Sequence, residues 1–153
     1  MKDFDHMPGH LARRFQQIAV AVFHAEANAL GFDLTPVQFA ALSAIDSYPG
    51  IDQAGLAGVI AYDRTTITGV VDRLVQKGLA TRQASVSDRR VRELRVTALG
   101  AKTLKEIEPA VRSAQALMLR GLDEDEAETL LGLLRKAVEA GNDLSRAPMR
   151  AAE

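Results

Sequence analysis

Apolar residues recur along most of this chain at steps of three and four. Leu11, Phe15, Ile18, Val22, Ala25 and Ala29 carry that spacing through one long segment, which predicts an amphipathic helix ending at Gly31. Thr35, Pro36 and Gln38 then form a start signal: a hydroxyl cap, proline at the first helical position and glutamine placed to close a capping box. Phe39, Leu42 and Ile45 give that second helix its buried side, and Pro49 with Gly50 ends it. Asp52 is placed to cap a short helix over 53–60, where Gly55 and Gly58 leave stability to packing rather than propensity. Asp63 is placed to cap a fourth helix, in which Ile67, Val70, Val71, Leu74 and Val75 follow at helical spacing as far as Gly78.

Beyond Gly78 the pattern changes. Residues 79–83 and Arg92–Val96 read as strands around a polar turn, hence a hairpin. Thr97 caps a long helix to about Leu119, which Pro109 is expected to kink or break. Asp123 opens a last helix with acids in its first turn and an apolar face of Leu130, Leu131, Leu133, Leu134 and Val138. From about Leu144 onward the chain is expected to fray. The fold class is therefore mainly α with one small β-hairpin.

Two helices a short turn apart, followed at once by a hairpin, form the layout of a winged helix-turn-helix. In such a unit the second helix enters the major groove of DNA and the hairpin tip lies along the backbone or minor groove. The expected organisation is a DNA-binding lobe over 35–97, with the helices of 1–34 and 98–153 forming a dimerisation region. The apolar faces at the two ends of the chain need a common partner, which a second copy supplies.

The net charge of −1 hides an asymmetry. Residues 1–62 balance to −3, 63–96 to +4 and 97–153 to −2. On charge alone, a solvated basic face and an anion-binding one fit equally well. The positive stretch nevertheless coincides with the fourth helix and the hairpin. Arg64, Thr65, Thr66 and Thr68 occupy the helix start, where Arg reaches guanine and Thr reaches bases or a thymine methyl. Capping and local back-bonding are the other use of those threonines. Arg73 and Lys77 are candidate phosphate contacts, and Lys77 equally suits a helix C-terminus.

The run Asp63-Arg64-Thr65-Thr66 through Val71-Asp72-Arg73-Leu74-Val75-Gln76-Lys77-Gly78-Leu79 is followed by Ser87-Asp88-Arg89-Arg90, Leu94-Arg95-Val96-Thr97 and Gly100. Together these motifs resemble the MarR family of bacterial transcriptional regulators, and Leu34-Thr35-Pro36-Val37-Gln38-Phe39 is similar to the start of that family's second helix. The resemblance covers roughly residues 10 to 140. It implies a homodimer that binds double-stranded operator DNA, most often as a repressor, and releases it when a small phenolic or aromatic acid binds. It also implies that Arg90 reaches the minor groove, braced by Asp88, with Arg89 free to add a phosphate contact.

An effector site is sought on the first helix. On a helical wheel His10, Arg13, Gln17 and His24 fall within about 60° of one another, a stripe that suits a carboxylate or simply a solvated face. The resemblance implies a ligand cleft bounded by this helix. Arg13 or Arg14 is then the carboxylate partner, His24 a hydrogen-bonding partner, and Phe39 and Phe23 candidate walls. Arg13 and His24 lie about 16 Å apart along the axis, so they serve opposite ends of one pocket or two pockets, one completed by the other subunit. The stretch from Pro8 to Gln17 resembles the branch of the family that controls aromatic and heteroaromatic acid catabolism. Alternatives within the same fold are a ligand-independent regulator and a metal sensor using His6, His10 and Asp3 or Asp5. Pro8-Gly9 separates the two histidines, so they do not share a helical face as i, i+4 ligands do.

No metal or other cofactor is expected. The absence of Cys excludes disulfides, zinc–thiolate sites, cysteine nucleophiles and the thiol-oxidation switch of one branch of the family. No Ser-His-Asp arrangement or phosphate-cradling glycine loop suggests an enzyme. No apolar run is long enough to span a membrane, and Asp3 and Asp5 stand where a signal peptide needs basic residues, so a cytoplasmic location is expected.

Overall fold

The computed structural model describes residues 3–153. The chain forms two compact units, Met1–Pro36 with Ile107–Glu128, and Val37–Glu106 with Thr129–Glu153. In the first, a 3-10 turn (Phe4–His6) precedes helix α1 (Pro8–Ala29), which begins at proline because that position needs no backbone donor. The Phe32 N–H reaches back to the Ala27 carbonyl at 2.9 Å and closes the helix. Phe23, Ala27, Leu34, Ile107, Ala110 and Ala114 are the buried apolar side chains of this unit. The expected break at Pro109 does not occur: helix α5 (Ala98–Met118) runs through it. The ladder bond that proline removes lies on an exposed side of the helix, where solvent reaches the orphaned carbonyl.

The second unit is built around helices α2 (Pro36–Ser47), α3 (Gln53–Val59) and α4 (Arg64–Gln76) and an antiparallel hairpin, β1 (Ala80–Ala84) and β2 (Arg92–Val96). Asp52 caps α3 through the Gly55 N–H at 2.6 Å, and Asp63 caps α4 through the Thr66 N–H at 2.8 Å. Leu42, Ile45, Leu56, Ile67, Val71, Leu74 and Leu94 are fully buried in this unit. The turn between α3 and α4 closes with the Tyr62 N–H on the Ala57 carbonyl at 2.9 Å, which sets Ala61 at φ +55°, a left-handed conformation disfavoured for any residue with a Cβ.

At the far end of α4 the Leu79 N–H bonds the Leu74 carbonyl at 3.0 Å. That bond delays the hairpin by one residue relative to the sequence expectation, so the register runs from Ala80 opposite Val96 to Ala84 opposite Arg92. Residues 50–52 join the edge of β2, with the Gly50 N–H on the Leu94 carbonyl and the Leu94 N–H on the Ile51 carbonyl, each at 2.8 Å. The Leu79 carbonyl accepts the Thr97 N–H at 3.0 Å, the Thr97 hydroxyl donates to the Gly78 carbonyl at 2.6 Å and accepts the Gly100 N–H at 3.0 Å. A Cβ at Gly100 would lie 2.0 Å from the Leu79 carbonyl oxygen, so only glycine allows α5 to start this close to the hairpin root.

Helix α6 (Glu124–Ala140) starts with a reciprocal cap between Asp123 and Glu126, each accepting the other's backbone N–H at 2.9 and 3.0 Å. Leu131, Leu133, Leu134 and Val138 of this helix are exposed. The expected fraying beyond it does not occur. A 3-10 turn (Asn142–Leu144) follows, and the Asn142 side chain bonds the Met149 N–H at 2.8 Å and its carbonyl at 3.0 Å. None of the described helices is long and apolar enough to cross a membrane.

Gly100→Ala is expected to lower the stability of this unit by about 1–3 kcal/mol, because the backbone at Leu79 must move to admit the methyl. Ala61→Gly is expected to act in the opposite sense, by up to about 1 kcal/mol, since relief of the left-handed strain exceeds the added entropy of the unfolded chain. Urea unfolding midpoints of the two variants against the parent chain check both signs.

Candidate functional site

Helix α4 buries Ile67, Val70, Val71 and Leu74 and exposes Arg64, Thr65, Thr66, Thr68, Gly69 and Arg73. Two of the threonines are already engaged locally. The Thr66 hydroxyl donates to Asp63 Oδ2 at 2.7 Å, and the Thr68 hydroxyl donates to the Arg64 carbonyl at 3.0 Å. Both hydroxyl protons are therefore used within the helix, and both threonines remain exposed. The N–H and hydroxyl of Thr66 hold the Asp63 carboxyl below the usual carboxylate range.

A polar chain ties this helix to its neighbours. Arg82 of β1 forms an ion pair with Asp72 of α4 at 2.8 Å and donates to Gln53 Oε1 of α3 at 2.8 Å. Gln53 Nε2 in turn donates to Thr68 Oγ1 at 3.4 Å. One half-buried guanidinium thus links both helices of the pair to the hairpin. At the other end of α4, Lys77 donates to Gln38 of α2 at 3.2 Å, with Gln38 buried. Lys77 stands at the C-cap of α4, as the helix C-terminal reading expects, and in addition ties that end to α2.

The hairpin turn is organised by its own side chains. The Ser85 N–H bonds the Val91 carbonyl at 2.9 Å, and buried Ser85 meets Ser87 through their hydroxyls at 2.9 Å. Asp88 accepts the Arg90 backbone N–H at 3.0 Å and the Arg90 guanidinium at 3.2 and 3.4 Å through its two oxygens. The Arg90 side chain is 92% exposed, so the carboxylate orients a guanidinium that otherwise projects into solvent. These bonds, the backbone one foremost, pull the Asp88 carboxyl below its usual range. Arg89 is exposed beside it.

In the first unit, α1 brings part of the predicted stripe together. Arg13 donates to Gln17 Oε1 at 3.3 Å and to His10 Nδ1 at 3.2 Å, and the His10 ring packs on Phe4 with centroids 4.0 Å apart. Partial burial, then the charges of Arg13 and Arg14, lower the His10 pKa and favour the neutral ring that accepts from Arg13. Arg14 is exposed. His24 stands apart from this group, half-buried, with its ring edge-on to Phe23 at 6.3 Å. Phe23 is a buried core residue, and Phe39 is half-buried on α2 in the other unit. Among the described residues no three of His, Asp and Glu gather into a group that could hold a metal ion.

A family model described as the MarR family matches residues 34–91, the span from the start of α2 through the hairpin turn. The chain is 32% identical over 138 residues to the HTH-type transcriptional repressor NicR of Pseudomonas putida, covering 90% of this chain and 86% of the relative. The chain belongs to the MarR family. Among solved structures, that of the PcaV transcriptional regulator of Streptomyces coelicolor in complex with its natural ligand superposes with a TM-score of 0.80 at 31% identity, covering 91% and 96% of the two chains. The structure of Bordetella bronchiseptica BpsR, whose DNA binding is regulated by 6-hydroxynicotinic acid, gives 0.79 at 28% identity, covering 86% and 92%. The protein is thus a winged-helix, DNA-binding transcriptional regulator and not an enzyme.

Within this MarR-family lobe, sequence reasoning missed Arg82, Asp72 and Gln53. Arg82 entered only as one more positive charge, although its place in a strand facing a helix with an acid at Asp72 was a usable sign of a cross-element pair.

The wing brace makes a pH prediction. A carboxyl whose folded pKa is lowered keeps its interaction above the ordinary aspartate value and loses it as pH falls through the lowered one. The Arg90 amide resonance is expected to titrate with a midpoint below that of free aspartate, and Asp88→Asn is expected to abolish the step. A midpoint at or above the free value contradicts the brace.

Proposed function

We propose that the chain is a homodimeric repressor that holds a pseudo-palindromic operator and is released from it by a small aromatic or heteroaromatic carboxylic acid. The observation that carries the DNA half of this reading is the exposed row on α4 together with the Asp88-oriented Arg90 on the wing. In this arrangement Arg64, Thr65, Thr66 and Thr68 face base edges in the major groove, and Arg73 and Arg89 face phosphates. Arg90 enters the minor groove, most favourably where A·T-rich sequence narrows it. Gly69 supports the same reading. It lies inside α4 on the exposed side with nothing of the chain within 4 Å of a built Cβ. Glycine costs stability in a helix interior, and no packing here requires it, whereas a duplex lying against this face benefits from the missing side chain.

The dimer follows from α6, whose exposed Leu131, Leu133, Leu134 and Val138 need a cover that a second copy provides, with 1–34 and 98–153 as the joining segments. Two lobes then bind jointly, and the operator carries two half-sites. Action on genomic DNA makes the protein cytoplasmic.

The effector half rests on Arg13. His10 and Gln17 hold its guanidinium in one orientation on α1, which reduces the ordering needed to bind a carboxylate. Arg14 is the alternative carboxylate partner, and His24, about 16 Å along the helix, belongs to a second site. The relation to BpsR, with its response to 6-hydroxynicotinic acid, and to the repressor NicR favours a heteroaromatic acid. A ligand touching both copies at this helix can bias the spacing of the two lobes, which is the differential contact that release requires.

The test is a titration of 6-hydroxynicotinic acid and benzoic acids against the complex with promoter DNA, followed by fluorescence anisotropy. The parent chain is expected to release the duplex. Arg13→Ala or Arg14→Ala is expected to keep DNA binding while losing the response, and His24→Ala to change which acid is preferred. Both arginine variants responding like the parent would place the effector elsewhere.

A further inference from the structure

The segment beyond α6 is seated on the DNA-reading lobe. The Arg150 N–H donates to the Gly58 carbonyl of α3 at 2.8 Å. A Cβ built on Gly58 lies 3.2 Å from the Arg150 Cβ, so the glycine leaves the room in which the tail lies. The Asn142 clasp on Met149 and the Ser145 hydroxyl accepting the Ala147 N–H at 3.1 Å shape the intervening chain. The result is that Arg146 and Arg150 share a hollow of about 190 Å³ with Tyr62, Asp63 and Arg64. Arg150 also lines a trough of about 520 Å³ reaching Ser85 and Ser87 of the hairpin turn. Arg146 and Arg150 are thereby placed beside Arg64 at the start of α4, and Arg150 also at the trough that leads to the wing.

The charge of this cluster selects its partner. Arg146 and Arg150 are exposed, and among the described residues neither forms an ion pair. The hollow also holds the ionised carboxylate of Asp63, which Thr66 engages, and the trough holds Asp52, which caps α3, Glu93, which pairs with Arg95, and Glu153 of the tail. Three guanidinium groups against one carboxylate leave the hollow with an excess of positive charge, which favours a further anion there. A tail that masked the surface by imitating DNA would carry carboxylates, and this one carries arginines.

We propose that the tail, residues 145–153, is a third DNA-contacting element in which Arg146 and Arg150 bind backbone phosphates beside the base pairs that α4 reads. The inference rests on the DNA-reading role assigned above to α4 and the wing. Guanidinium forks suit phosphate oxygens, and such contacts add affinity without sequence preference.

The full chain, its Arg146→Ala/Arg150→Ala and Arg146→Lys/Arg150→Lys variants, Arg90→Ala, and a chain ending at Leu144 are titrated against a promoter duplex over a range of salt concentrations. Thermal unfolding confirms that each variant is folded. Each phosphate contact contributes about 0.9 to the slope of log affinity against log salt, so the double alanine variant is expected to lose a slope of about two per lobe. Its affinity falls alike on all sequences, the truncated chain matches it, and the double lysine variant keeps most of the slope. Parent-like slope and affinity in the double alanine variant, with Arg90→Ala weakened, overturn the tail contact and leave the lobe's role standing. Tighter binding by the truncated chain also overturns it, by showing that the tail covers the surface. A parent chain that binds no promoter duplex overturns both.

Discussion

The DNA-reading lobe depends on one crowded junction at Gly78 and Leu79. The end of α4, the root of the hairpin and the start of α5 all bond to these two residues: α4 through the Leu79 N–H, and the other two through the carbonyls that Thr97 engages. The junction closes because Gly78 takes a φ of +72° and Gly100 lacks a Cβ. The junction between recognition helix and wing is therefore set mainly by Gly78, Leu79, Thr97 and Gly100. The exposed side chains of α4 are left to face outward, while Ile67, Val70, Val71 and Leu74 hold the helix in the core.

A second economy concerns charge. Residues 63–96 carry eight basic side chains, and not all of them are available to an anion. Arg82 joins α3, α4 and β1 through Asp72 and Gln53, and Lys77 joins α4 to α2 through Gln38. Those two hold the elements in place. Arg64, Arg73, Arg89 and Arg90 project outward, and Arg90 is aimed by Asp88 rather than left mobile. The lobe thus spends part of its positive charge on rigidity and exposes Arg64 and Arg73 on α4 and Arg89 and Arg90 on the wing, where a braced guanidinium loses less entropy on meeting its partner.

Much of this was legible because it is local. Aspartates three residues ahead of a helical N–H announce the caps of α3 and α4, and apolar spacing locates each buried face. The alternation from helical to strand spacing after Gly78 identifies the hairpin, and the Asp88–Arg90 pair is only two residues apart. What stayed hidden is long-range or depends on what surrounds a residue. The Gln38–Lys77 bond spans 39 residues and the Arg82–Gln53 bond 29, distances over which no spacing rule operates. Pro109 signalled a break that an exposed helix face absorbed. The polar, alanine-rich tail signalled fraying, yet Asn142 folds it back and Gly58 receives it. On α1, by contrast, the helical rise alone separates His24 from His10, Arg13 and Gln17, and the structure adds its edge-on neighbour Phe23.

The central claim is that two copies of this lobe lie on one duplex with α4 in successive major grooves and the wings beyond them. Hydroxyl-radical footprinting of the chain on its promoter DNA tests it most directly. The account predicts two symmetric protected segments whose centres are about 10–10.5 base pairs, or a multiple of that, apart, each flanked by minor-groove protection that disappears in Arg90→Ala. A single unpaired footprint, or flanking protection that survives the loss of Arg90, would contradict it.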